Sequence, residues 1–226
     1  MKFVIGICLL FFVGCFPPQS IISRYNSKGF AITQLKGSNV RLYVTPVVDV
    51  LEFQNSFRNE YGSRSKFDSL LTSRVKDILT NIATTSIDTS NETEIIFFDK
   101  SLPEEKAEKA KAVFESANEN YFIGIKEIVI SNSIKNDPIN YSPSTTISTP
   151  GGKVSVGGMP SGGGMSESCV VSVQVEVWSV KDRKRLTEFT AVGQSGVTFF
   201  AYGKALKNAV NEAILNLSNY IVENKK

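Results

Sequence analysis

The order of hydrophobic periods predicts an α/β domain of the α+β kind, with one mixed sheet of about five strands packed by three helices. Three observations carry that expectation. Runs of period two alternate with runs of period 3.6 through the first half of the chain, giving strand, helix, strand, helix, strand. Residues 170–192 then hold two alternating runs joined by a short charged turn, which is the pattern of an antiparallel hairpin. Finally, the chain closes on a broad helical stripe from Lys204 to Val222 that needs a sheet to cover it.

The first fifteen residues stand apart from this pattern. Lys2 precedes an apolar run, Phe3 to Val13, that stops at Gly14-Cys15, the layout of a secretory signal. The run is too short to span a bilayer, which takes about 20 apolar residues. Phe12-Val13-Gly14-Cys15 resembles the bacterial lipobox, in which the cysteine is lipidated and becomes the new amino terminus. The resemblance implies removal of residues 1–14 and a lipid on Cys15. Phe16 in place of Asp after that cysteine implies an outer-membrane anchor facing the periplasm in a host with two membranes. Residues 15–38, with Pro17-Pro18, are expected to form the tether, and 39–226 a single periplasmic domain.

Composition narrows the function. The 226 residues carry 25 Lys and Arg against 22 Asp and Glu, a formal charge of +3. The basic residues are scattered among acids, so no nucleic-acid partner is expected. There is no histidine, which removes the commonest general base and the commonest metal ligand. Of three cysteines, Cys8 leaves with the signal and Cys15 takes lipid, so Cys169 has no internal disulfide partner. At the head of a valine-rich strand it reads as a small buried hydrophobe.

Within the domain, Phe30 to Leu35 alternates weakly and is expected to add an edge strand. Val40 to Val48 is rich in β-branched and aromatic residues, and Asp49 to Gly62 reads as a loop. From Ser65 to Ala83, Phe67, Leu70, Leu71, Val75, Ile78, Leu79 and Ile82 recur at steps of three and four, an amphipathic helix with Ser65 as its cap. Glu94 to Asp99 is expected as a buried strand after a Ser/Thr-rich loop. Ser101-Leu102-Pro103-Glu104 then opens a helix to Asn118. Tyr121 to Ser131 is the third strand, and its alternation slips at Lys126-Glu127 as a β-bulge would make it. Residues 132–168 turn to Ser, Thr, Pro and Gly and are expected as a flexible insertion. Val171, Val173, Val175 and Val177 then line one face of a strand, and Leu186 to Val192 returns beside it.

The hairpin Val173-Gln174-Val175-Glu176-Val177-Trp178-Ser179-Val180-Lys181-Asp182, the lipidated amino terminus and the final helix together resemble a group of bacterial envelope lipoproteins. The group includes the curli secretion channel CsgG, the lipoprotein activators of penicillin-binding proteins and the amino-terminal domain of TolB. The resemblance implies a non-enzymatic, protein-binding scaffold or accessory factor in envelope assembly or secretion. Its partners would be the membrane, through Cys15, and another envelope protein. Trp178, Phe189, Phe199, Phe200 and Tyr202 are candidates for an exposed aromatic patch that meets such a partner.

Two alternatives stand beside that expectation. A subunit of a homo-oligomeric channel of the curli type would use residues 132–168 to enter the membrane. A glycan-binding, small-molecule-binding or hydrolytic domain would draw on the carboxylates Asp49, Glu52, Asp99, Glu127 and Glu176. No pair of these stands at a diagnostic spacing, so no catalytic residue, metal ligand or cofactor is assigned. Gly151-Gly152-Lys153 lacks the spacing of a phosphate-binding loop, and Val154 takes the place of its Ser or Thr.

Overall fold

The computed structural model describes residues 21–88, 104–141, 145–149, 152–156, 160–198 and 200–223. Cys15, Asp99 and Phe199, and the strand expected at Glu94–Asp99, lie outside the described residues. The elements are β1 (Ile21–Asn26), a 3-10 turn (Ile32–Leu35), β2 (Asn39–Val50), α1 (Gln54–Tyr61), α2 (Arg64–Thr80), β3 (Thr84–Asp88), and α3 (Glu104–Ser116). There follow β4 (Tyr121–Tyr141), β5 (Thr145–Thr149), β6 (Gly152–Val156), β7 (Pro160–Ser179), β8 (Lys184–Gly196) and α4 (Tyr202–Glu223).

Six strands make one mixed sheet in the order β1-β8-β7-β4-β2-β3, and β5 pairs with β6 alone. β2 runs parallel to β3 and to β4, whereas β4, β7, β8 and β1 pair antiparallel in turn. The mixed α+β class read from the periodicity is therefore the observed one, with an additional edge strand on each side.

The chain steps outward from β2 to β3 through α1 and α2, then back across β2 to β4 through α3. A single hand of crossover demands that these helices cover opposite faces, and the packing agrees. Val40, Leu42, Ile123, Ile125, Val173, Val175 and Phe189 form the main core with Phe57, Phe67, Leu71, Val75 and the stripe of α4. On the other face Tyr43, Phe122 and Val180 form a small cluster with Val113 and Phe114 of α3 and with Trp178.

Several expectations need correction. The tether does not run to residue 38: Ile21–Asn26 is a sheet strand paired with β8, and Phe30, Ile32 and Leu35 are buried in the core. Residues 32–35 form a 3-10 turn, not a strand. Asp49 to Gly62 is not all loop, because β2 runs to Val50 and α1 follows. Phe53, Phe57 and Tyr61 recur there at steps of four, but only Phe57 and Tyr61 lie inside the eight-residue helix, a short stripe among polar residues. α2 begins two residues early because Ser63, not Ser65, caps it: its hydroxyl accepts from the Lys66 amide at 3.3 Å. β3, Thr-Thr-Ser-Ile-Asp, falls in the expected Ser/Thr-rich loop and is held by its ladder to β2 rather than by an apolar face.

The bulge at Lys126 is present, since the register shifts between Ile125 and Glu127 against both neighbours of β4. The extra residue keeps Ile123, Ile125, Ile128 and Ile130 on the core side.

The largest correction concerns residues 132–168. β4 and β7 pair continuously from Tyr121↔Ser179 to Tyr141↔Pro160, and β5 and β6 make a further two-stranded ladder. Glycine and proline broke the apolar alternation by which strands are recognised, but backbone pairing does not need it. The segment is a β-ribbon arm that continues the two central strands of the sheet.

Candidate interaction surface

The expected aromatic patch does not form as one surface. Phe189 points into the main core at 0% exposure, its ring 4.6 Å from that of Tyr220. Trp178 lies on the opposite face, 6.3 Å from Phe114. Adjacent strand positions alternate between faces, so a residue of β7 and one of β8 share a surface only if their register matches. Glu176 pairs with Glu188 and Val175 with Phe189, which puts Trp178 and Phe189 on opposite sides.

Phe200 and Tyr202 do stay together, at 6.5 Å between ring centroids, just before and at the start of α4. Tyr202 also meets Phe53, at 5.7 Å, at the end of β2. An open cleft of about 520 Å³ lies beside them, lined by Leu51, Glu52, Phe53, Gln54, Glu167 and Tyr202. Phe53 and Phe200 both hold left-handed backbone, φ 62° and 60°, a conformation that is costly for a bulky side chain. Leu51 and Phe200 are 62% and 85% exposed, and Ile134, opposite Glu167 at the root of the arm, is 57% exposed. The sequence signal for this end was the pair Phe200 and Tyr202. Leu51, Phe53 and Ile134 escaped it because they look apolar like any core residue.

The carboxylates scatter. Glu52 is exposed, and Asp49 and Glu127 are half-buried on the face away from α4. Glu176 is the exception, fully buried on that same face. It accepts from the Trp178 indole at 3.1 Å and pairs with Lys126 at 3.4 Å and Arg185 at 3.3 Å. Arg185 also reaches Glu188 at 2.6 Å, and the Gln174 amide donates to Glu188 at 2.7 Å. Two carboxylates neutralised by two cations and held by an amide and an indole form a structural lattice on the sheet. Among the described residues no three His, Cys, Asp or Glu stand together as a metal-holding group.

At the other end of the sheet Arg41 grips Glu119 with two hydrogen bonds, Nε to Oε1 at 3.0 Å and Nη2 to Oε2 at 2.9 Å, and Ser86 donates to Oε1 at 3.2 Å. Burial alone would raise the Glu119 pKa, but the hydrogen bonds and charge of Arg41, with the Ser86 bond, hold it below the usual value. A depressed folded-state pKa contributes stability above the unfolded pKa, and that contribution is lost as pH falls through the folded value. Urea midpoints should therefore fall on acidification below about pH 4.3, the unfolded glutamate value, and Glu119→Gln should flatten that part of the profile. A variant with an unchanged acid limb would show that Glu119 contributes nothing there.

Cys169 is wholly buried, and burial, followed by the Glu167 charge, pushes its thiol up to about 12. Alkylation of the native chain at neutral pH should leave Cys169 unmodified by peptide mapping, with full modification after unfolding in urea.

The fold and surface define an α+β domain with helices on both faces of its sheet and a projecting β-arm. No family model matches the chain, and no curated protein matches it. Among solved structures it is similar to a protein described as a neuraminyllactose-binding hemagglutinin homolog from Helicobacter pylori, at 11% identity and TM-score 0.42, over 89% of this chain and 92% of that one. A PelC dodecamer from Paraburkholderia phytofirmans matches at 11% identity and TM-score 0.33, over 85% and 95%. The hypothetical protein CT253 from Chlamydia trachomatis matches at 12% and TM-score 0.39, over 83% and 99%. Scores this low carry no argument about what this chain does.

Proposed function

We propose that the chain is a membrane-anchored periplasmic lipoprotein that acts, without catalysis, as a protein-binding scaffold or accessory factor in envelope assembly or secretion. The observation that carries the binding role is the arm. β4 pairs with β2 only as far as Ile130, and β7 with β8 only as far as Ser168, yet β4 and β7 remain paired to Tyr141 and Pro160. Among the described residues no strand pairs with the outer edges of that stretch. A row of open backbone N–H and C=O groups recognises an extended segment of another chain by adding a strand. The lipobox resemblance at Cys15 supports the anchor, in the outer membrane of a host that has one.

A second reading, a homo-oligomeric channel subunit of the curli type, is favoured by the arm's length. About ten residues per strand extend past the sheet, close to the 9–11 that cross a bilayer as a tilted strand. Light scattering on the full chain solubilised from membranes, beside a copy lacking residues 136–166, separates the two. A large closed oligomer that collapses without the arm selects the channel. For the scaffold, a photo-crosslinker at Asn140 should trap a discrete protein species that one at Arg183 does not. Equal trapping from both positions, or none, would remove the arm as the binding element.

A further inference from the structure

The direction of β1 limits which end of the domain a lipid on Cys15 can reach. This inference rests on the lipid-anchor reading of Cys15. β1 pairs antiparallel with β8, Ile21 opposite Ala191 and Asn26 opposite Thr187, so the chain arrives at Ile21 from the arm end and runs toward the Lys181–Arg183 turn. A fully extended chain from Cys15 to Ile21 reaches at most about 20 Å. At a strand rise of about 3.3 Å per residue, the end of β8 at Gly196 lies about 16 Å from the level of Ile21, and Arg183 lies about 26 Å away on the other side. A lipid on Cys15 thus reaches the arm end and falls short of the turn end.

The arm end is also where the large apolar side chains are open to solvent. Leu51, Ile134 and Phe200 are 62%, 57% and 85% exposed, and the rings of Tyr202 and Phe53 continue the patch inward. Phe200 occupies left-handed backbone while most of its ring is exposed, so neither local conformation nor core packing accounts for a phenylalanine there.

We infer that this end, with Leu51 and Phe200 at the root of the arm, lies against the interfacial layer of the bilayer that holds the Cys15 lipid. Apolar side chains at such a surface bury themselves about 5–10 Å into the boundary between headgroups and acyl chains. The arm itself begins Asn132-Ser133-Ile134-Lys135-Asn136-Asp137, too polar for a two-stranded ribbon with open edges to enter hydrocarbon alone. Because the ribbon runs about ten residues per strand past this end, a contact at its root requires the ribbon to bend over and lie along the membrane surface rather than cross it.

The test uses the full lipidated chain in vesicles of phosphatidylethanolamine and phosphatidylglycerol, with a fluorophore on Leu51→Cys, on Phe200→Cys or on Lys181→Cys. Lipids carrying a nitroxide near the headgroup should quench the labels at 51 and 200 several-fold more than the label at 181. Mass spectrometry of the amino-terminal peptide reports the anchor separately. An acylated Cys15 with equal quenching at all three positions, or with the strongest at 181, overturns the orientation alone. An unacylated Cys15 overturns the anchor and this orientation with it.

Discussion

Gly193→Ala should cost about 3 kcal/mol or more and shift the urea midpoint accordingly. Gly193 lies on β8 opposite Val171, on the face that α4 covers. A Cβ at 193 would overlap the carbonyl oxygen of Ala209 and the amide of Ala213, both backbone atoms of α4 that no rotamer change can move aside. The close approach serves a purpose. β1 pairs with β8 only as far as Ala191, so the outer edge of β8 beyond it needs other partners. α4 supplies them: Glu212 accepts from the Gln194 amide at 2.8 Å, and Asn216 donates to the Val192 carbonyl at 2.7 Å. Small residues at Gly193, Ala209 and Ala213 allow a helix close enough for those bonds. A Gly193→Ala variant as stable as the parent would mean that α4 is held less closely.

Arg185→Ala should cost about 2–3 kcal/mol. That is somewhat under the roughly 3–5 kcal/mol for breaking a fully buried pair, because the Arg185 side chain keeps 31% exposure. Arg185 is the shared cation of Glu176 and Glu188, and its loss leaves two largely buried carboxylates with Lys126 as the remaining cation of the group. Adding Glu188→Gln to that variant should restore part of the stability. The amide removes one uncompensated charge, and its oxygen can still accept from Gln174. If the double variant is no more stable than Arg185→Ala, the penalty comes from lost packing of Arg185 over the Tyr25 ring, at 5.1 Å, rather than from stranded charge.

Both predictions concern contacts that the sequence hid. Gly193 sits in Ala191-Val192-Gly193-Gln194, where nothing marks it as the place where a helix crosses. Glu176 and Glu188 stand at the polar positions of alternating strands, and alternation names the apolar face without saying what covers the other one. Helix α3 and the lattice of long side chains cover that face. The aromatic patch failed for a related reason. Trp178 and Phe189 were grouped by nearness in sequence, but the hairpin register put them on opposite faces.

What the sequence determined by itself was whatever depends on local periodicity. The stripes of α2 and α4, the alternation of β7 and the slip at Lys126 each specify an element and the face it buries, because burying that face dominates the local free energy. The mixed α+β class follows from their order. Tertiary structure alone decided what is held by backbone pairing. β1, β3 and the arm carry little apolar pattern, and their strand form comes from ladders to neighbours distant in the chain. It also decided which exposed apolar side chains share one end of the domain, since Leu51, Ile134 and Phe200 come from three separate segments, after β2, within β4 and before α4, at the arm end of the sheet. A hydrophobic period is written in neighbouring residues, whereas a shared end of a sheet depends on strand order, and strand order is settled only when the chain has folded.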